Sequence, residues 1–167
     1  MNKIPGQEKL KDWEDRIKNA PKGSLIIGEG LLFLHEHKLY TEKGGGTFEG
    51  YMKMVFDYNR DYGYKIMYAY KTYKRLINLG FDEKELPKTE NQYRPLKKLD
   101  DKGLKTVWAQ VSGSGRITAQ LLKNAVEEYL NPDGKNLENT NNPIVNNKAY
   151  QAGYENGYKA GLADAKS

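Results

Sequence analysis

The sequence predicts an all-α fold, a small multi-helix domain that contains a helix-turn-helix and is followed by a C-terminal helix. Along most of the chain, apolar residues recur at intervals of three and four, which is the spacing of one helix face. Residues that favour helix N-caps precede these stretches, at Ser24, Thr47, Asn59 and Thr118. Prolines and glycines lie at the breaks between the stretches, where helices end.

The composition argues against several kinds of chemistry. The 167 residues include no cysteine, so the chain has no disulfide, thiolate metal site or cysteine nucleophile. The two histidines, His35 and His37, are two residues apart and would point to different sides of a helix, which argues against a metal site. Because no arrangement of nucleophile and base stands out either, we expect no enzyme activity and no cofactor.

Charge and hydropathy indicate the compartment. The formal net charge is +5 at pH 7. No apolar run approaches the roughly 18 residues that a membrane span requires. The N-terminus also lacks the apolar core of a signal peptide. The sequence therefore predicts a cytoplasmic protein that does not bind membranes.

The first two elements are predicted from polarity and from breaks in the pattern. Residues 1–23 predict a polar N-terminal helix, which a Pro-Lys-Gly break ends before a main helical domain at 24–130. That domain opens with the most apolar stretch of the chain, 24–40. Its length favours a buried helix over a strand, although Gly28 and Gly30 are unfavourable in a helix.

The helix-turn-helix is predicted in the middle of this domain. Thr47 precedes a helix that continues to about Phe56. After a three-residue turn, Asn59 is placed to cap a second helix from Arg60 to about Leu79. This order of a short helix, a turn and a longer helix is typical of a helix-turn-helix, in which the second helix lies in the major groove of DNA.

Shorter helices and a tail complete the chain. A connector at 81–93 precedes helices near 94–111 and 118–130. Residues 131–147 are rich in asparagine and predict a flexible linker. The last segment, 148–167, has a four-residue period that would form stripes on a helix, and we expect it to join two copies in a homodimer through Tyr150, Gly153, Tyr154, Gly157, Tyr158 and Gly161. A frayed tail is the alternative, since three glycines cost about 3 kcal/mol relative to alanine in an isolated helix.

The charge pattern of 47–79 indicates contact with double-stranded DNA. This stretch carries a net charge of +3, because six cations, Lys53, Arg60, Lys65, Lys71, Lys74 and Arg75, face three acids, Glu49, Asp57 and Asp61. Arginine can donate two hydrogen bonds to guanine, and lysine can neutralise a phosphate. The predicted DNA contacts lie at the start of the second helix: Asn59, Arg60, Asp61, Tyr62 and Lys65.

Two further features of the domain are open to two interpretations each. A second basic group, Arg94, Lys97 and Lys98, lies within a stretch whose five cations face two acids, and it either contacts the DNA backbone or forms a solvated surface. Seven tyrosines between residues 51 and 73 either bond phosphates through their hydroxyl groups or pack in the core and at its rim.

Several short segments together resemble a module common in plasmid and phage proteins and the central DNA-binding domain of ParB and KorB partition proteins. They occur in the same order over about 24–130: Thr47-Phe48-Glu49-x-Tyr51, Phe56-Asp57-Tyr58-Asn59-Arg60, Gly63-Tyr64-Lys65-Ile66-Met67-x-Ala69, Glu90-x-Gln92-x-Arg94-Pro95-Leu96-x-x-Leu99, Val107-Trp108-x-x-Val111 and Ile117-Thr118-Ala119. Asp57 replaces the usual turn glycine, and Gly63 replaces the alanine that packs the two helices. The nucleotide-binding segment and arginine-rich box of ParB are missing, so the resemblance does not extend to CTP-dependent clamping.

The resemblance and the charge pattern together predict a DNA-binding protein of a plasmid or phage, acting in repression, partition or replication control. The competing hypothesis is a protein-interaction adaptor, such as a plasmid- or phage-encoded inhibitor of a host system. It would present the same tyrosine-rich surface to a host protein, since Tyr and Arg are favoured at such interfaces.

Overall fold

The all-α prediction is confirmed by a computed structural model, which describes residues 5–44 and 46–132. Over these residues the chain forms six α-helices and short 3₁₀ helices, and no strand. The association helix at 148–167, and all but the first two residues of the linker at 131–147, lie outside the described residues. None of the helices in the described part is long and apolar enough to cross a membrane.

The chain divides into two compact units, where the sequence predicted one domain and a separate N-terminal helix. Unit 1 runs to Tyr73 and includes Lys88–Asn91, and unit 2 consists of Lys74–Pro87 and the residues from Gln92 onward. The helix predicted within residues 1–23 belongs to unit 1, because Leu10 and Ile17 are part of its hydrophobic core.

The first two helices of unit 1 begin where the local sequence requires. Helix α1 spans Pro5–Asn19, and α2 spans Leu25–Glu36. The Ser24 hydroxyl accepts a hydrogen bond from the Ile26 N–H (3.3 Å), as expected of an N-cap. The apolar stretch then continues beyond α2 into a 3₁₀ helix at Leu39–Lys43, which contacts both α1 and α2.

Gly28 and Gly30, which are unfavourable in a helix by propensity, lie where α2 packs closely against its neighbours. A Cβ atom added to Gly28 would collide with the backbone carbonyl of Ile66, and one added to Gly30 would lie 2.7 Å from the Ile17 side chain. Both glycines are buried. The intrinsic cost of glycine in a helix is therefore offset by a close approach that no larger residue permits.

Helices α3 and α4 are joined by a three-residue turn. Helix α3 spans Phe48–Phe56 and α4 spans Arg60–Asn78, within one residue of the predicted bounds. Asp57 adopts a left-handed backbone (φ 56°), the conformation that usually calls for glycine but that Asp tolerates. The N–H of Tyr58 then donates to the Met52 carbonyl (3.2 Å), which closes the end of α3.

Segment 88–91 is held in unit 1 by backbone hydrogen bonds to the start of α2. The Leu25 N–H donates to the Lys88 carbonyl (3.2 Å), and the Glu90 N–H donates to the Gly23 carbonyl (2.8 Å). An isolated bridge pairs Ser24 with Thr89. These bonds explain why four residues distant in sequence belong to the first unit.

Unit 2 contains helices α5, Asp101–Val111, and α6, Ala119–Leu130. The single helix expected near 94–111 is wrong: a 3₁₀ helix at Arg94–Lys98 precedes α5, and the chain is extended at Asp100, whose side chain caps α5. Short 3₁₀ helices commonly serve as such connectors. The unit buries a core in which Tyr93, Leu96, Leu104, Val107, Trp108 and Leu122 are fully inaccessible to solvent.

We expect Gly28→Ala to lower the free energy of unfolding by about 1–3 kcal/mol, because α2 and the Ile66 backbone must move apart. Gly63→Ala is the matched control, since its added Cβ would meet the flexible end of the Met52 side chain instead of backbone. Both substitutions gain about 1 kcal/mol of helix propensity, so the difference between them reports the packing cost. Urea unfolding of both variants measures the difference, and equal destabilisation would contradict this explanation of the glycines.

Candidate nucleic-acid interface

The first two turns of α4 present a mixed polar surface to solvent. Arg60, Asp61, Tyr64 and Lys65 are exposed, whereas the neighbouring Ile66 and Met67 are buried. Three of the predicted DNA contacts, Arg60, Asp61 and Lys65, therefore lie on this surface. Tyr64, which the sequence did not single out as a contact, lies there as well.

Asn59 and Tyr62 have structural roles instead. The Asn59 side-chain oxygen accepts a hydrogen bond from the Tyr62 N–H (2.8 Å) and so caps α4. The Tyr62 ring packs against the core of unit 1, and its hydroxyl accepts a hydrogen bond from the Gly23 N–H (3.3 Å). Tyr62 is two residues beyond Arg60, so its side chain leaves the helix on a different face.

Glu49 and Tyr64 form a cluster with Arg60, which we call the Glu49 cluster. The Tyr64 hydroxyl donates to Glu49 Oε1 (2.8 Å), and Arg60 Nε lies 4.0 Å from the same oxygen. The Arg60 guanidinium is 5.9 Å from the centre of the Tyr64 ring. Helical spacing could have identified Tyr64, because it is four residues beyond Arg60. Glu49 could not be found this way, since it lies on α3.

The cluster shifts the pKa values of its members in opposite directions. The pKa of Glu49 is lowered by its own backbone N–H, by the Tyr64 hydroxyl and by the charge of Arg60. The pKa of Tyr64 is raised, chiefly because its hydroxyl is bonded to this carboxylate. Glu49 is therefore an anion at neutral pH, and on the exposed surface it accepts a hydrogen bond from a phenol and lies beside an arginine.

Carboxylates offset most of the positive charge on this part of unit 1. Lys53 pairs with Asp57 across one turn of α3, and this contact lowers the pKa of Asp57. Arg60 lies beside Glu49. Among the residues that the structure describes, no carboxylate is within ion-pair distance of Lys65 or Lys71. This part of unit 1 is therefore only weakly basic, and the arrangement of its side chains is more distinctive than its net charge.

The second predicted basic group lies in unit 2. Arg94, Lys97 and Lys98 are exposed on the 3₁₀ helix at Arg94–Lys98. Residues 59–65 thus lie together in unit 1, in the turn and at the start of α4. The other predicted contacts, Arg94, Lys97 and Lys98, belong to unit 2.

The tyrosines of 51–73 are used mostly for packing. Tyr51 is buried, and its hydroxyl donates to Glu14 (2.7 Å), which also pairs with Lys43 (2.7 Å). Burial and the bond to Glu14 raise the pKa of Tyr51. Tyr58 packs edge-on against Tyr62 (4.8 Å between ring centres), and burial raises its pKa. Tyr64 is the large exposed aromatic residue of this group.

Comparison of the chain with protein-family models, with curated proteins and with solved structures finds no match. The side chains of the Glu49 cluster and Lys65 offer binding chemistry: a guanidinium that can donate paired hydrogen bonds, an ammonium group and a phenol. Such donors suit the base edges and phosphates of nucleic acids.

We expect Tyr64→Phe to raise the pKa of Glu49, because the variant loses a hydrogen bond that stabilises the carboxylate. Tyr58→Phe is the control, since the Tyr58 ring contacts Phe56 and Tyr62. NMR titration of the Glu49 side-chain carbonyl carbon measures the value directly. An unchanged Glu49 pKa in Tyr64→Phe would show that the bond does not exist in solution.

We expect Tyr51→Phe to lower the free energy of unfolding by about 1.5–3 kcal/mol, because the buried Glu14 carboxylate loses a donor. Tyr64→Phe removes the same kind of bond at an exposed site, where water replaces the donor, and should cost much less. Urea unfolding compares the two variants, and equal losses would refute a role for burial at Glu14.

Proposed function

We propose that this protein binds double-stranded DNA with sequence preference, through the exposed face at the start of α4. The observation that supports this most is the exposed face of α4, on which Arg60 lies beside Glu49 and Tyr64 in the first turn and Lys65 lies in the next turn. Roles in repression, partition or replication control of a plasmid or phage would all use such an interface. A homodimer through residues 148–167, which would present two interfaces to a repeated site, belongs to the same proposal.

The geometry of α3 and α4 supports the proposal. In helix-turn-helix proteins the N-terminal residues of the second helix contact base edges in the major groove. Here Arg60 and Tyr64 are exposed on that part of α4, and Tyr64 is hydrogen-bonded to Glu49. An exposed arginine at this position can donate two hydrogen bonds to one guanine.

The charge balance indicates how affinity and selectivity would divide. Glu49 repels phosphates, so its presence beside Arg60 lowers non-specific attraction to DNA. It also limits the directions from which Arg60 can bond. We therefore assign selectivity to the start of α4 and expect its contribution to affinity to be modest.

A protein partner is the second candidate, and one observation favours it. Met54 on α3 is 66% exposed, the most exposed of the large apolar side chains in the described ranges. Methionine, tyrosine and arginine are enriched at protein interfaces. An adaptor or inhibitor of a host protein would use Met54 as an apolar anchor.

Duplexes selected from a random pool by the full chain test the proposal. With such a duplex, Arg60→Ala is expected to cost about 1–3 kcal/mol of affinity and to relax the preference at one base pair. Lys65→Ala should weaken all duplexes alike and reduce the slope of log affinity against log salt by about 1. Fluorescence anisotropy at several salt concentrations measures both effects.

The matched controls are Lys11→Ala and Lys18→Ala, which remove exposed charges from α1. If selection recovers no preferred sequence, or if Arg60→Ala behaves like these controls, DNA recognition by α4 is refuted. Binding of a host protein that Met54→Ala abolishes would then favour the second candidate.

A further inference from the structure

Unit 2 carries a concentration of positive charge that unit 1 lacks. Between residues 92 and 116 there are six cations, Arg94, Lys97, Lys98, Lys102, Lys105 and Arg116, and two acids, Asp100 and Asp101. Over the described residues of unit 1 the cations and acids nearly balance. Most of the net charge of the described chain therefore lies in this one stretch of unit 2.

Both acids of the stretch are engaged in the fold. The Asp100 carboxylate accepts a hydrogen bond from the Gly103 N–H (2.7 Å) and caps α5. Asp101 pairs with Arg75 (2.7 Å), which also donates to the Leu99 carbonyl (3.2 Å). Because Arg75 lies outside this stretch and already neutralises Asp101, Asp100 is left as the acid of the stretch that offsets the nearby lysines.

Three lysines, which we call the lysine surface, remain available: Lys98, Lys102 and Lys105. Each is exposed, and within residues 5–44 and 46–132 no carboxylate lies within ion-pair distance of any of them. Lys102 and Lys105 are three residues apart on α5 and so neighbour each other on its surface. In unit 1, Lys53 and Arg60 have acidic partners, whereas Lys65 and Lys71 have none within ion-pair distance among the described residues.

We propose that the lysine surface binds the phosphate backbone of nucleic acid, without sequence preference and independently of α4. Lysine is a compact ammonium charge on a flexible stem, which suits phosphate contact more than bidentate bonding to bases. The choice of nucleic acid as the polyanion depends on the proposed function. The lysine surface would then supply most of the salt-dependent affinity, while the Glu49 cluster supplies selectivity.

The apolar residues of the same stretch favour nucleic acid over a membrane or a protein. Leu96, Leu104 and Trp108 are fully buried, and the large apolar side chains exposed in the described ranges, Ile26, Met54, Tyr64 and Leu130, all lie outside 92–116. A helix that binds membranes inserts apolar side chains beside its lysines. A protein interface needs a buried aromatic or aliphatic anchor. A phosphate backbone requires neither.

The test compares two triple variants of the full chain on a duplex of random sequence. Lys98→Ala/Lys102→Ala/Lys105→Ala should reduce the slope of log affinity against log salt by about 3, because three phosphate contacts are lost. Lys9→Ala/Lys11→Ala/Lys18→Ala removes the same charge from exposed positions of α1 and should change the slope by less than 1. Because all six lysines are exposed, urea unfolding should show the same midpoint for both variants and the parent chain.

Equal slopes for the two triple variants would overturn the proposal. The proposal would also be overturned if the lysine-surface substitutions weakened binding to phosphatidylserine vesicles but left binding to the duplex unchanged. The proposed function fails separately, if no sequence is preferred or if Arg60→Ala has no effect. In that case, a reduced slope of log affinity against log salt in the lysine-surface variant still supports a phosphate-binding surface. A parent chain that binds no duplex at low salt refutes both.

Discussion

The turn between α3 and α4 is the constraint on which the candidate interface depends. The left-handed backbone at Asp57 ends α3, and the Asn59 cap begins α4 at Arg60. Once that starting residue is set, the helical repeat places Arg60 and Tyr64 on one exposed face and turns Tyr62 toward the core. The close approach at Gly28 then holds α2 against the Ile66 backbone, so that α4 is anchored from its buried side.

On this anchored helix, the pairing of opposite charges decides what each surface can do. In unit 1, Glu49 and Asp57 lie beside Arg60 and Lys53 and offset part of their charge, whereas Lys65 and Lys71 have no carboxylate within ion-pair distance among the described residues. In unit 2, acids serve as a helix cap and as a partner of Arg75, and exposed lysines keep their charge. The proposed division of selectivity and affinity between these two sets of residues matches the division between base contacts and phosphate contacts in DNA-binding proteins.

Features governed by local sequence could be predicted well. The side chains of Ser24, Thr47, Asn59 and Thr118 each bond a backbone N–H at the start of a helix, because a cap depends only on its immediate neighbours. Contacts between residues distant in sequence escaped prediction. The Glu49–Tyr64 bond joins two helices, the hydrogen bonds of 88–91 cross more than sixty residues, and the closeness that makes Gly28 favourable comes from a residue on α4.

The central proposal is that Arg60, which lies beside Glu49 and Tyr64, contacts DNA bases. The most direct measurement is the NMR signal of the Arg60 side-chain Nε–H, followed while a selected duplex is added to the full chain. If Arg60 contacts guanine, this signal should change strongly and saturate as the selected duplex is added. It should change less when a duplex of random sequence is added. An Arg60 signal that stays unchanged while the protein binds the selected duplex would contradict the account.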